Sequence, residues 1–177
     1  MAHQFRKAFP SDASRIWEIL QQAILKRKKE GSNQWQDGYP NPEVIKKDIS
    51  KEIGYVLITN NDIIGYCAVD INNEPAYQKI EGAWQTNGDF VVFHRVAIAK
   101  EYIGKGLAST MFKCIEHYAL ENTINSIKAD TNFDNAPMLY LFKKLGYRYC
   151  GQVHIRNSPR RAYEKVLNLK QWLNGQK

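Results

Sequence analysis

Cysteine is scarce in this chain of 177 residues: there are three, Cys67, Cys114 and Cys150, widely spaced and set in apolar or strand-like stretches. An odd, scattered set speaks against a disulfide framework and offers no zinc-ligand spacing, so reduced buried thiols and no metal site are expected. Long hydrophobic runs are missing too. No stretch approaches the roughly 18 apolar residues of a membrane span, and Met1-Ala-His-Gln-Phe-Arg6 has no apolar signal core. A soluble cytoplasmic protein without a membrane partner is therefore expected. Internal repeats and low-complexity segments are absent. So is the Gly, four residues, Gly-Lys-Ser/Thr pattern of a P-loop.

Acidic residues are outnumbered, 18 Asp and Glu against 25 Lys and Arg, which leaves a net charge of +7. The one dense basic run, Lys26-Arg-Lys-Lys29, ends an expected helix, where cations complement the dipole. A solvated helix terminus explains it better than nucleic acid, for which no stacking or helix-turn-helix pattern appears. No nucleic-acid partner is expected, and the positive field suits a small polyanionic ligand. With 44% hydrophobic and 12% aromatic residues the chain is an ordinary globular one. Its length fits a single domain over residues 1–177.

The most informative stretch runs from Phe90-Val-Val-Phe-His-Arg-Val-Ala-Ile98 through a few polar residues to Gly104-Lys-Gly106, then into a segment from Leu107 to Ala119. It reads as strand, glycine turn, helix, since Leu107, Ala108, Met111, Phe112, Ile115, Tyr118 and Ala119 recur at helical spacing. Glycines let the backbone approach a ligand, and the open N–H groups of a helix start favour an anion, first of all a pyrophosphate. A dinucleotide fingerprint is nearly matched, with Ser109 as the third small residue and Asp130 a strand later. That fold needs several βαβ units in series, however, and the residues before 90 read as antiparallel or helical. On its own the turn is read equally well as a plain entry to a core helix.

Along the rest of the chain, residues 3–9 suggest a strand ended by Pro10, and Ser11-Asp12 cap a helix carrying Ile16, Ile19, Leu20, Ala23 and Ile24. Residues 31–42 read as a loop, and Asn41-Pro42-Glu43 opens a short helix to about Lys51. The runs 54–59 and 63–71, joined by Asn60-Asn61-Asp62, form a strong hairpin signal. Residues 72–88 read as a polar loop. A strand at 126–131, a helix from about Asn135 to Leu145 and strands at 147–155 and 162–167 complete the order β-α-α-β-β-β-α-β-α-β-β.

That order, with Val96-Ala-Ile98, Glu101-Tyr-Ile-Gly-Lys-Gly-Leu-Ala108, Asp130-Thr-Asn-Phe-Asp-Asn-Ala-Pro-Met138 and Leu141-Phe-Lys-Lys-Leu-Gly-Tyr147, resembles the Gcn5-related N-acetyltransferase (GNAT) superfamily over nearly the whole chain. The resemblance implies an α/β (α+β) fold. Its mixed, mostly antiparallel central sheet would carry helices on both faces and a parallel pair, the fourth and fifth strands. Residues 90–147 would be the acetyl-CoA-binding core, and 1–53 the variable acceptor side. It further implies that Ile103, Gly104, Lys105, Gly106, Leu107, Ala108 and Ser109 wrap the pyrophosphate. Val96, Ala97 and Ile98 would pair with the pantothenate arm, and Asn135 would lie beside the pantetheine. A dimer through the C-terminal strands is in keeping with the family.

The implied reaction is acetyl transfer from acetyl-CoA to an amine. The acceptor ammonium, with a pKa of about 10, must lose a proton, and a backbone N–H near the fourth-strand bulge would stabilise the oxyanion. Two departures from the family pattern stand out. Glu101 lies where glutamine or arginine is usual, so it must turn away from phosphate or meet a cation. Phe142 stands where many members have a tyrosine that protonates the leaving thiolate; Tyr140 is a substitute acid or a surface tyrosine, and solvent is the other proton source.

For the base, His94 is the first candidate, though by alternation it shares a face with Val92, Val96 and Ile98 and is equally read as a core histidine. Glu81 and Asp89 are weaker candidates. Arg95, on the opposite face, is structural or meets an acidic substrate group. Trp35, Tyr39 and Trp84 either wall an amine site or anchor loops. A small primary amine is the leading acceptor. A protein or peptide N-terminus, and a sensor that binds acetyl-CoA without turnover, are the alternatives.

Overall fold

The hairpin signal is realised closely. In the computed structural model, which describes residues 3–175, strands β2 (Gly54–Thr59) and β3 (Asp62–Ile71) are joined at Asn60 and Asn61, both in the left-handed region at φ 47 and 66. Positive φ at both central positions is what a tight hairpin needs, and asparagine tolerates it. Strand β1 (Gln4–Lys7) runs antiparallel to β2, with Phe5 opposite Leu57. Helices α1 (Ala13–Lys29) and α2 (Pro42–Ser50) follow the expected apolar spacing: Ile16, Ile19, Leu20 and Ile45 pack with Val56, Ile58, Tyr66, Ala97 and Ala99. Asn41 caps α2 by accepting from Val44 N at 3.0 Å. The basic run needs one correction: Arg27 is buried, paired with Glu30 at 2.5 Å and Ser32 at 2.7 Å, while its lysine neighbours are exposed.

These elements form one of two compact units, made of the chain through Val69 together with His94–Phe112. Its sheet order is β1-β2-β3-β5, where β5 is Val91–Ile98. Helix α3 (Leu107–Glu121) begins in this unit. Gly65 is required here by close approach, because a Cβ would lie 2.7 Å from the Met111 side chain and 2.8 Å from that of Ile98.

The other unit comprises Asp70–Phe93 and the chain from Lys113 onward. Its strands are ordered β5-β6-β8-β7-β4, with β4 at Glu81–Gly82, β6 at Ser126–Thr131, β7 at Arg148–Ile155 and β8 at Ser158–Val166. The parallel pair is β5 and β6, not the fourth and fifth strands, because the polar loop contributes a two-residue strand, β4, paired on β7. Helix α4 (Ala136–Lys144) buries Phe142, which stacks on Tyr163 at 4.6 Å and packs beside Tyr147 and Phe93. A further short helix, α5 (Leu169–Gly175), escaped the sequence reading; its Trp172 sits edge-on to His117 at 4.8 Å. Among the described residues no helix is long and apolar enough to cross a membrane.

Candidate active site

Strand β5 is irregular at its centre, and the irregularity is at Arg95. This residue has φ 57, a conformation that side chains disfavour. Pairing with β3 reports the same event: Asn72 N donates to Phe90 O and Ala99 N to Ile64 O, so nine residue steps along β5 and its flanks match eight along β3. One extra residue is therefore accommodated on β5, a β-bulge. The expected alternation fails in consequence. His94 and Val92 are out of phase with Val96 and Ile98 and do not share their face.

Beyond the bulge the strand is regular again. Ala99 N points to β3, so by two-residue alternation the N–H groups of Ile98 and Val96 face the opposite edge. The registered parallel pairs with β6, among the described residues, are confined to Val91 and Val92.

Arg95 itself is committed to the interior. Its Nε and Nη2 donate to the two carboxylate oxygens of Asp48 at 2.9 and 2.8 Å, and its Nη1 donates to the Tyr39 hydroxyl. Tyr66 donates to the same carboxylate at 2.6 Å. Arg95 and Asp48 side chains are only 9% and 5% exposed. Burial and the Asp48 charge push the Tyr66 hydroxyl far above its ordinary pKa, so it remains a donor. Of the two sequence readings for Arg95, this arrangement is the structural one. Tyr39 is half-buried against the guanidinium, and Trp35, in the same loop, is half-buried with φ 62.

After β5 comes a short 3-10 turn, Lys100–Tyr102, then the glycine pair with Gly104 at φ 83 and Gly106 at φ 77. A Cβ at either would meet nothing within 4 Å, so glycine is needed for backbone conformation and leaves the surface open. The helical ladder of α3 starts with Thr110 N donating to Gly106 O at 3.2 Å. Amides of Leu107, Ala108 and Ser109 precede that bond and have no acceptor inside the helix. Ile103 is exposed, and Lys105 holds its ammonium 4.9 Å from the Tyr102 ring centre.

Glu101 meets a cation, as its position demanded: Arg15 Nη2 lies 2.6 Å from its carboxylate. That bond draws the Glu101 pKa below its ordinary value. Exposed glycines, open helix amides and a neutralised carboxylate together fit a pyrophosphate.

The remaining candidates lie in the other unit. Asn135 caps α4, its Oδ1 accepting from Met138 N at 3.3 Å. Tyr140 on the same helix is 64% exposed, whereas Phe142 is fully buried. Trp84 donates its indole N–H to Tyr77 O at 2.9 Å and packs on the Tyr77 ring, so it anchors its loop. Glu81 faces His154 at 3.4 Å, and Asp89 accepts from Asn72 at 2.7 Å. Among the described residues no group of three or more His, Cys, Asp or Glu is gathered for a metal.

The acetyltransferase (GNAT) family model matches residues 15–147. The chain belongs to the GNAT acetyltransferase family. A GNAT acetyltransferase of Streptococcus agalactiae is similar to this one at 34% identity, covering 94% of this chain and 96% of that one, with a TM-score of 0.87. More distant structures share the fold alone. One is a Salmonella typhimurium protein solved with its cofactor acetyl-CoA (16% identity, 95% of each chain, TM-score 0.67). Another is Arabidopsis thaliana NAA60 with a bisubstrate analogue (14%, 94% and 99%, 0.65). No curated protein sequence matches at a significant level.

This GNAT enzyme therefore catalyses acetyl-CoA-dependent acetyl transfer. What the sequence reading missed is Asp48 and its hold on Arg95. The available signal was a lone carboxylate beside Ile45 and Ile49 on the helix's inward side.

Proposed function

We propose that this acetyltransferase moves the acetyl group to the primary amine of a small molecule by direct attack. The observation that carries the reading is the tie between Tyr39 and Arg95, which fastens the loop holding Trp35 and Tyr39 to the bulge of β5. A tethered aromatic loop beside the strand that carries the thioester suits a compact cationic acceptor better than an extended chain. A cytoplasmic location, without nucleic-acid or membrane partners, belongs to the same proposal, as does a homodimer. So do an acceptor side in residues 1–53 and a cofactor core in 90–147.

In this reading Ile103, Gly104, Lys105, Gly106, Leu107, Ala108 and Ser109 hold the pyrophosphate, mostly through backbone N–H groups. In the segment Val96, Ala97 and Ile98, the backbone groups of Val96 and Ile98 offer the strand edge opposite β3 to the pantothenate arm. Asn135 is assigned to the pantetheine on the family motif alone. Acetyl-CoA supplies the activated acyl group. An N–H beside Arg95 donates to the acetyl carbonyl oxygen as negative charge develops there, and this preorganised donor lowers the barrier. His94, on β5 next to the bulge, takes the proton that the acceptor ammonium loses. Trp84 is left as a loop anchor. The thiolate takes its proton from water or from the exposed Tyr140.

Calorimetric titration with acetyl-CoA, followed by a thiol-release screen over small amines, amino acids and peptides, tests the reading. Release with small primary amines is expected. Release with peptides alone would replace the acceptor class, and tight binding without release from any acceptor would make the protein a sensor.

A further inference from the structure

We propose that Arg95 is a positioning residue: its buried fork onto Asp48 fixes the bulge of β5 and thereby aims the backbone N–H that receives the acetyl carbonyl oxygen. The inference rests on the reading just given, in which that N–H lies at the bulge.

A bulge residue at φ 57 would ordinarily be glycine, the residue that adopts this conformation without steric cost. Here it is an arginine, and three donor positions of its guanidinium are engaged, Nε and Nη2 by Asp48 and Nη1 by Tyr39. Asp48 comes from α2, Tyr39 from the loop before it, and Tyr66, which shares the carboxylate, from β3. The turned backbone is thus held from three directions, by Asp48 and Tyr66, which are almost wholly buried, and by the half-buried Tyr39.

A planar fork on a carboxylate fixes orientation as well as distance, which an ammonium does not. Without the fork, β5 gains by recovering continuous pairing with β3. Recovering it removes the extra residue from the strand, and a one-residue shift turns every following N–H and side chain to the other side. The N–H that should face the thioester would then face β3. Arg95 touches no reacting atom in this account and acts only through the backbone it bends.

The test reads the carbonyl itself and needs no acceptor. Acetyl-CoA labelled with carbon-13 at the carbonyl is bound to the wild-type protein, to Arg95→Lys and to the paired variant Arg95→Met/Asp48→Leu. The pair removes both charges together, so no unpaired charge stays buried. Arg95→Lys keeps a cation opposite Asp48 and gives a reading even should the pair not fold. The carbonyl resonance of the wild-type complex is expected to be displaced from that of free acetyl-CoA by the N–H bond, and each folded variant, saturated with acetyl-CoA, to lose most of that displacement. A role in stability alone would lower the melting temperature and leave the resonance of the folded complex in place, which would overturn the proposal. A wild-type resonance identical to that of the free thioester would instead overturn the underlying reading, and the positioning role with it.

Discussion

Replacing Gly104 tests the pyrophosphate turn in two separable parts. At φ 83 an alanine is strained, yet its Cβ would meet nothing within 4 Å, so the change carries a conformational cost and no clash. That cost is about 1–2 kcal/mol for a residue with a Cβ in the left-handed region. The exposed turn relaxes when free and must be restored on binding, so Gly104→Ala should weaken acetyl-CoA about 5–30-fold. Gly104→Asp adds a charge. At ~6 Å from a doubly charged pyrophosphate in a water-like medium, repulsion is about 0.7 kcal/mol per charge pair, or about 1.4 kcal/mol in all, another factor of about ten. Calorimetry at two salt concentrations distinguishes the parts, because the excess deficit of aspartate over alanine is screened by salt and the strain is not. With the turn at the surface, both variants should melt within a few degrees of wild type. If Gly104→Asp binds acetyl-CoA like wild type, or its deficit equals that of alanine at both salts, no phosphate lies at this turn.

Arg15→Ala should weaken acetyl-CoA binding by about threefold, because it leaves the Glu101 carboxylate uncompensated at a half-exposed site where charge effects are modest. Adding Glu101→Gln in that background should restore the affinity, and a double-mutant cycle by calorimetry checks both. Asp12 gives a pH test of stability. Burial raises its pKa, but the bonds from Arg6 and from the Phe9 amide outweigh this and leave it below 3.8. A lowered carboxylate pKa stabilises the fold above the unfolded value of about 3.9, and that contribution is lost as pH falls through the folded value. Denaturation curves between neutral pH and pH 3 should therefore show a shallower acid loss for Asp12→Asn than for wild type.

How much of this was legible in the sequence depended on the range of the interactions. Strand β6 lies at residues 126–131 as read, and the β2–β3 hairpin is nearly so, because alternation and Asn60-Asn61 are local signals. The glycine turn was equally plain, since two left-handed residues in three all but require glycine. The place of the bulge was not: the family resemblance implies one in this strand, but Arg95 is not a residue that marks left-handed backbone, and the alternation reads as unbroken across it. Strand β4 exists only because Gly82 and Gly151 cross so closely that a Cβ on either would sit 2.2 Å from the other strand's carbonyl oxygen. Nothing near residue 82 announces a partner near residue 151. Asp48 was overlooked for the same reason: its meaning comes from Arg95, 47 residues away.

The loss of the family tyrosine at Phe142 need not cost the enzyme its chemistry, and pKa values show why. A leaving thiolate has a pKa of about 8.5, so at pH 7.5 its protonation by solvent is downhill by about 1.4 kcal/mol. Removing a proton from an acceptor ammonium of pKa about 10 is uphill by roughly 3.4 kcal/mol at the same pH. The larger demand is on the base, and a buried phenylalanine that stacks on Tyr163 leaves no donor at position 142 to satisfy the smaller one. The pH dependence of kcat/KM should then rise with the ionisation of base and acceptor and level off, with no descending limb up to about pH 10, where a required tyrosine acid would deprotonate. Tyr140→Phe should leave the profile unchanged. A descending limb that Tyr140→Phe abolishes, with a fall in rate, would show that the exposed tyrosine has taken over as the acid and would refute the argument.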